Sequence, residues 1–145
     1  MAGDPGEAAT HVEEAERWLD YAQGHLKLAQ LGVGEPAVLF QQRLLQARAS
    51  IEMALRGLLA LHGEAAPETK DVMELAYRTS RHVGGCPLIE VQPERTPFVT
   101  RSYGPEDVAP VAATSEEAEE EVRQSIKLAG HVLSWARTGL RKALT

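Results

Sequence analysis

The feature that most narrows the fold of this chain is the apolar rhythm of residues 37 to 61. Ala37, Phe40, Leu44, Ala47, Ile51, Ala54, Leu58 and Leu61 follow one another at alternating steps of three and four. That spacing puts all of them on one face of a 3.6-residue helix. Leu45, Leu55 and Leu59 widen the face. Pro36 suits a first turn, where its missing N–H is not needed, and Gly63 suits the stop. The pattern predicts one long rod at the centre of a helical bundle, with Gln41, Gln42, Arg43, Gln46 and Arg48 turned mostly away from its seam.

The flanking segments supply the partners for that rod. Thr10 and Glu13 form a capping box, and Val12, Ala15, Leu19, Ala22, Leu26 and Ala29 make a second stripe that Gly32 and Gly34 end. A shorter helix is expected over residues 68 to 82, with Val72, Leu75, Ala76 and Thr79 inward. Residues 84 to 113 are rich in proline and glycine and predict a long irregular connection, pinned to the bundle by Leu88, Ile89 and Val91. Thr114 and Glu117 then cap a last helix striped by Val122, Ile126, Ala129, Leu133, Ala136 and Leu140. Its acidic start, residues 116 to 121, and its basic end, Arg137, Arg141 and Lys142, both suit the helix dipole.

The expected fold is therefore all-α: a four- to five-helix up-and-down bundle with one long irregular connection before the last helix. Residues 1–9 are expected to be a flexible N-terminus and residues 10–145 a single domain. A chain of 145 residues buries about two-thirds of its unfolded surface and needs no metal or disulfide to fold.

Charge and composition exclude several classes of function. A net charge of −6 opposes tight nonspecific binding to nucleic acid, which rests on many cations neutralising phosphates. The lone cysteine, Cys86, cannot form an intramolecular disulfide, and without a helix to lower its pKa it reads as incidental. No apolar run predicts a signal peptide or membrane span, so a cytoplasmic location is expected. No phosphate-cradling glycine loop, zinc spacing or Ser-His-Asp arrangement is present, and no cofactor or metal is expected. The histidines, at 11, 25, 62, 82 and 131, fall on different elements. The most positive internal stretch holds Arg78, Arg81, Arg95 and Arg101. Glu52 reads as a helix-flank ion pair with Arg48 or Arg56, each four residues away, and Trp18 and Trp135 read as bundle-edge or dimer contacts.

The central segment Gln46-Ala47-Arg48-Ala49-Ser50-Ile51-Glu52-Met53-Ala54-Leu55-Arg56-Gly57-Leu58-Leu59-Ala60-Leu61-His62-Gly63 resembles the central helix of the HEPN (Higher Eukaryotes and Prokaryotes Nucleotide-binding) domain family. In that family it reads glutamine-rich, then Glu-x-Ala-Leu-Lys-Ala-Leu-Leu, then Gly. Glu52, Ala54, Leu55, Leu58, Leu59 and Gly63 match, and Arg56 stands where the family usually has lysine. Ala15 to Ala22 with Leu26-Lys27-Leu28-Ala29 looks like its first helix. Pro67-Glu68-Thr69-Lys70-Asp71-Val72 looks like its Lys-Thr-His-Asp-Leu stretch, with Lys70 in place of the histidine. Thr100-Arg101-Ser102-Tyr103 is similar to its Thr-Arg-Tyr-Pro segment with one residue inserted, and Leu133-Ser134-Trp135-Ala136-Arg137 to its last helix. The ordered set spans roughly residues 13 to 140.

The resemblance implies a bundle that often pairs with itself, as a homodimer or higher homo-oligomer, and is commonly encoded beside a minimal nucleotidyltransferase as its substrate-binding or toxin-like partner. The leading expectation is a binding module for a nucleotide, RNA or protein ligand, with Arg101 and Tyr103 as phosphate and base contacts and Arg56 and Arg81 behind them. One alternative is a metal-independent ribonuclease, which some relatives are, with His62 or His82 carrying the proton and a nearby arginine stabilising the phosphorane. The other is a purely structural homo-oligomeric module. Ribonuclease relatives carry an arginine, four to six intervening residues and a histidine. Here Arg56 and His62 have five between them but are expected on different faces of the rod, and Arg78 and His82 have only three between them.

Overall fold

A computed structural model describes residues 5–31, 40–69, 71–90 and 115–145. Among them the elements are α1 (Pro5–Gln30), α2 (Phe40–Leu61), α3 (Val72–Thr79), the single turn α4 (Pro87–Glu90) and α5 (Ser115–Ala143). The described residues contain no strand, and the protein is an all-α bundle. Helix α2 is its hub and packs against α1, α3 and α5.

The stripes predicted from spacing form the core. Ala15, Leu19, Ala22, Leu26 and Ala29 of α1 are buried, as are Leu44, Ala47, Ile51, Ala54, Leu55, Leu58, Leu59 and Leu61 of α2. The inward residues of α3 are Val72, Leu75, Ala76 and Thr79, as expected. Helix α5 buries more than one row: Ser125, Leu128 and Val132 join the expected stripe. Leu45, expected to widen the α2 face, is instead exposed. Leu88 is fully buried while Ile89 is exposed. Phe40's side chain, Ala37, Thr114 and the rest of the connection from residue 91 lie outside the described residues.

Helices α1 and α2 are antiparallel, as their contacts show. Gly63 meets His11, Gly57 meets Ala15 and Trp18, the Ser50 hydroxyl donates to the Ala22 carbonyl at 2.7 Å, and Arg43 Nε donates to the Ala29 carbonyl at 2.9 Å. Ascending α1 is descending α2.

Several boundaries and facings differ from expectation for identifiable reasons. Helix α1 starts at Pro5, so residues 5–9 are helical, and the Thr10 hydroxyl donates to the Gly6 carbonyl at 2.9 Å instead of capping. Proline's fixed φ is pre-organised for a first turn. Helix α3 starts at Val72, not at residue 68, because the Asp71 carboxylate accepts from the N–H groups of Met73 and Glu74 and makes the N-cap. Arg43 and Arg48, expected away from the seam, are buried at 7% and 9% exposure. The last carbonyls of a helix have no partner within it and favour a cation, and Arg43 reaches across to fill that need at the end of α1. Arg48 lies 4.0 Å from Glu52.

Candidate functional site

The site is built where α2 ends. Gly63 has φ +70°, its N–H donates to the Ala60 carbonyl, and the Glu64 N–H donates to the Leu59 carbonyl. This pair of bonds is a Schellman turn, and it requires the left-handed conformation that glycine adopts without cost. The turn leaves His62 and Glu64 projecting from the end of the rod. After α3 the chain makes another tight turn, with His82 and Val83 both donating to the Thr79 carbonyl. Trp135 on α5 holds that turn by donating its indole N–H to the Gly84 carbonyl at 2.8 Å, which makes Trp135 a bundle contact.

The two turns bring His62 and His82 together. Their rings stack with centroids 4.7 Å apart and planes within 6°. His82 Nε2 lies 2.7 Å from Glu64 Oε2. An ionised carboxylate only accepts, so Nε2 carries the hydrogen. Arg78 Nη1 approaches the other Glu64 oxygen at 3.7 Å and also pairs with Glu74 at 3.5 Å. The hydrogen bond from His82 holds the Glu64 carboxyl below its ordinary pKa against a smaller opposing effect of burial, and the charges of His82, Arg78 and Arg81 add to it. Partial burial, and then the neighbouring His82 charge, push His62 below its ordinary value. The pair thus combines an imidazole biased towards its neutral form with one oriented by a carboxylate, two imidazoles within reach of one another for proton transfer.

A pH dependence follows. The unfolded chain takes up a proton at His62 near pH 6.5, while the folded ring resists it until lower pH, so stability falls on acidification through that window. Glu64 acts with the same sign at more acid pH: its contribution is complete above 4.5 and is lost as pH drops through the lowered folded pKa. Melting temperatures between pH 7.5 and 5.5 should decline less steeply for His62→Gln than for the wild type. Identical slopes would show that the ring titrates alike in both states.

Beside this cluster lies an open cleft of about 440 Å³. Its walls are His11, Glu14 and Trp18 from α1, Arg56 and Ala60 from α2, and residues 63–66. Glu64 belongs to both the cleft and the histidine cluster. The His11 ring covers Gly63 so closely that a Cβ there would lie 2.9 Å from Cε1. Arg56 donates through Nε to Glu52 at 3.3 Å, through Nη1 to the Pro67 carbonyl at 3.3 Å and through Nη2 to the Thr69 carbonyl at 2.9 Å. Glu52 is accordingly the helix-flank ion pair expected from spacing, with Arg48 and Arg56 on either side.

Of the residues singled out from sequence, His62 and His82 come together, Arg56 lines the adjoining cleft, and Arg81 is exposed beside Glu64. Arg101 and Tyr103 lie outside the described residues. Glu64, Glu14 and His11 were not singled out as site residues, although the position of Glu64 directly after a helix-stopping glycine is a readable signal. Cys86 is buried, and burial raises its thiol pKa. Among the described residues no group of three or more His, Cys, Asp or Glu side chains is arranged to hold a metal ion. No described helix is long and apolar enough to cross a membrane.

No curated protein and no solved structure matches the chain with significance. The sequence profile of the HEPN domain does match it, over residues 8–139. That span takes in nearly all of α1, the whole of α2 to α4, the cleft, the histidine pair and nearly all of α5, and the chain therefore belongs to the HEPN domain family.

Proposed function

We propose that this protein is a nucleotide-binding HEPN module that acts as the substrate-binding or toxin-like companion of a minimal nucleotidyltransferase. The observation that carries this reading is the cleft, where the half-buried Trp18 and the guanidinium of Arg56 line one opening. An indole supplies a stacking surface for a base. Three of the five Arg56 N–H groups are spent on Glu52, Pro67 and Thr69, which leaves two for an anionic group. In this proposal Arg81 adds positive charge at the rim, and Arg101 and Tyr103 supply further phosphate and base contacts. A homodimer is part of the same reading, and the exposed Tyr21 and Leu28 of α1, with Leu31 just after it, offer apolar surface for it.

Titration with nucleoside monophosphates, followed by tryptophan fluorescence, tests the binding. Saturable quenching is expected, and it should be lost in Trp18→Leu. Arg101→Ala with Tyr103→Ala should weaken binding and leave the melting temperature nearly unchanged. Failure of every nucleotide to bind at millimolar concentration would reject the reading, and unchanged affinity in the double variant would reject Arg101 and Tyr103. Co-purification of a nucleotidyltransferase from native extract tests the companion role.

The stacked histidines favour a second reading, metal-independent cleavage of RNA. His62 would take the 2′-hydroxyl proton, His82 would return one to the leaving 5′-oxygen, and Arg78 or Arg81 would stabilise the phosphorane. Purified protein should then cut RNA in EDTA, with the rate falling by about 10²–10⁴ in His82→Ala or His62→Ala. Intact RNA under those conditions removes this reading.

A further inference from the structure

Of the two carboxylates that line the cleft, one has no partner among the described residues. Glu52 is held by Arg56 and Arg48, and Glu64 by His82 and Arg78. Glu14 lines the cleft together with Glu64, and among the described residues no hydrogen bond or ion pair engages it. It stands one turn from His11 and one turn from Trp18 on a single face of α1, which brings the carboxylate beside the indole. From these observations we infer that Glu14 selects a guanine base in the cleft, with Trp18 as its stacking surface. This inference rests on the cleft being a nucleotide site.

The selection follows from hydrogen-bond inventory. An ionised carboxylate has two acceptor oxygens and no donor, so it complements only an edge with two adjacent donors. Guanine has that edge, its ring N1–H next to its exocyclic amino group. Adenine and cytosine each set an amino donor beside a ring-nitrogen acceptor, and uracil sets its single N–H between two carbonyl oxygens. Each of those edges turns a lone pair towards a Glu14 oxygen, and a site built to accept hydrogen bonds rejects a partner that cannot donate them. Arg56 shares the opening, so a simple ammonium ligand meets opposing positive charge, whereas a nucleotide presents a base to Glu14 and an anion to the guanidinium.

Calorimetric titration of the full chain with 5′-GMP, 5′-IMP and 5′-AMP decides the matter. GMP should bind at least about tenfold more tightly than AMP, in the range of a bidentate base contact. IMP, which keeps the ring N–H and lacks the amino group, should fall between them. In Glu14→Gln, whose amide turns one acceptor into a donor, the GMP preference should shrink to within about threefold, with the circular dichroism spectrum unaltered. Equal affinities for GMP and AMP in the wild type, or a preference that survives Glu14→Gln, overturns the assignment to Glu14 and leaves the nucleotide site standing. Failure of all three nucleotides to bind at millimolar concentration overturns the site and this inference together.

Discussion

Gly57→Val is expected to unfold roughly 10 °C below the wild type, a loss of about 3 kcal/mol, at the upper end of what overpacking costs. At Gly57 α1 and α2 pack in close contact. A Cβ placed on it would lie 3.0 Å from the Trp18 Cβ, 3.2 Å from Leu19 Cδ2 and 3.3 Å from the Ala15 carbonyl oxygen. Two of those atoms are tied to the α1 backbone and cannot rotate out of the way. Valine's branched side chain therefore has to push the helices apart at the level of Trp18, which opens the interior and distorts one wall of the cleft. Gly57→Ala separates the contributions. Alanine gains about 1 kcal/mol of helix propensity over glycine and pays for it with one methyl in a tight space, so its net effect should be small. Thermal denaturation of the two variants tests the argument: a valine variant as stable as the alanine variant would mean that the helices part at no cost.

The same contact shows how much of the fold was legible beforehand. Periodicity identified the buried residues of α2 because it reports which face a residue occupies, and burial follows face. It failed for Arg43 and Arg48, since a long side chain can start beside the seam and carry its charge across to a neighbouring helix. Arg43 does so to reach the Ala29 carbonyl. Thr10 lies inside α1 instead of capping it, because a hydroxyl three residues before a glutamate fits a cap equally well whether or not an upstream proline has already started the helix.

The site was legible only in parts. His62 next to Gly63 and His82 just before Gly84 are both visible as helix-end residues, but nothing local says that two turns 20 residues apart stack their rings. That contact depends on the Schellman turn, on the position of α3 against α2, and on Trp135 holding the Gly84 carbonyl from 51 positions away. Glu14 was invisible for a different reason. A glutamate on an amphipathic helix is ordinarily a solvated one, and only the cleft beside it distinguishes this residue from its exposed neighbours Glu13 and Glu16.

Arg56→Ala should cost about 2–3 kcal/mol, at the lower end of what breaking a hydrogen-bonded charge pair costs because the pair is only partly buried. The Arg56 and Glu52 side chains are 16% and 19% exposed, so removing the guanidinium leaves a carboxylate with only the longer 4.0 Å contact to Arg48. It also releases from α2 the Pro67 and Thr69 carbonyls, which tie residues 64–69 to that helix, and leaves Pro67 accepting only from the Thr69 N–H. Arg56→Lys distinguishes these two effects. A lysine keeps a positive charge near Glu52, but a single ammonium cannot span the carboxylate and two carbonyls that the planar fork reaches together. Its loss should be about half as large, close to the roughly 1–1.5 kcal/mol expected for the carbonyl hydrogen bonds once solvent competition is allowed for. Hydrogen exchange at residues 64–69 is the decisive readout, because those amides should exchange faster in both variants while those in the middle of α2 stay protected. If lysine restores full stability and protection, charge alone holds the segment. If it does not, the fork sets the shape of the wall that carries Glu64, and with it the orientation of His82.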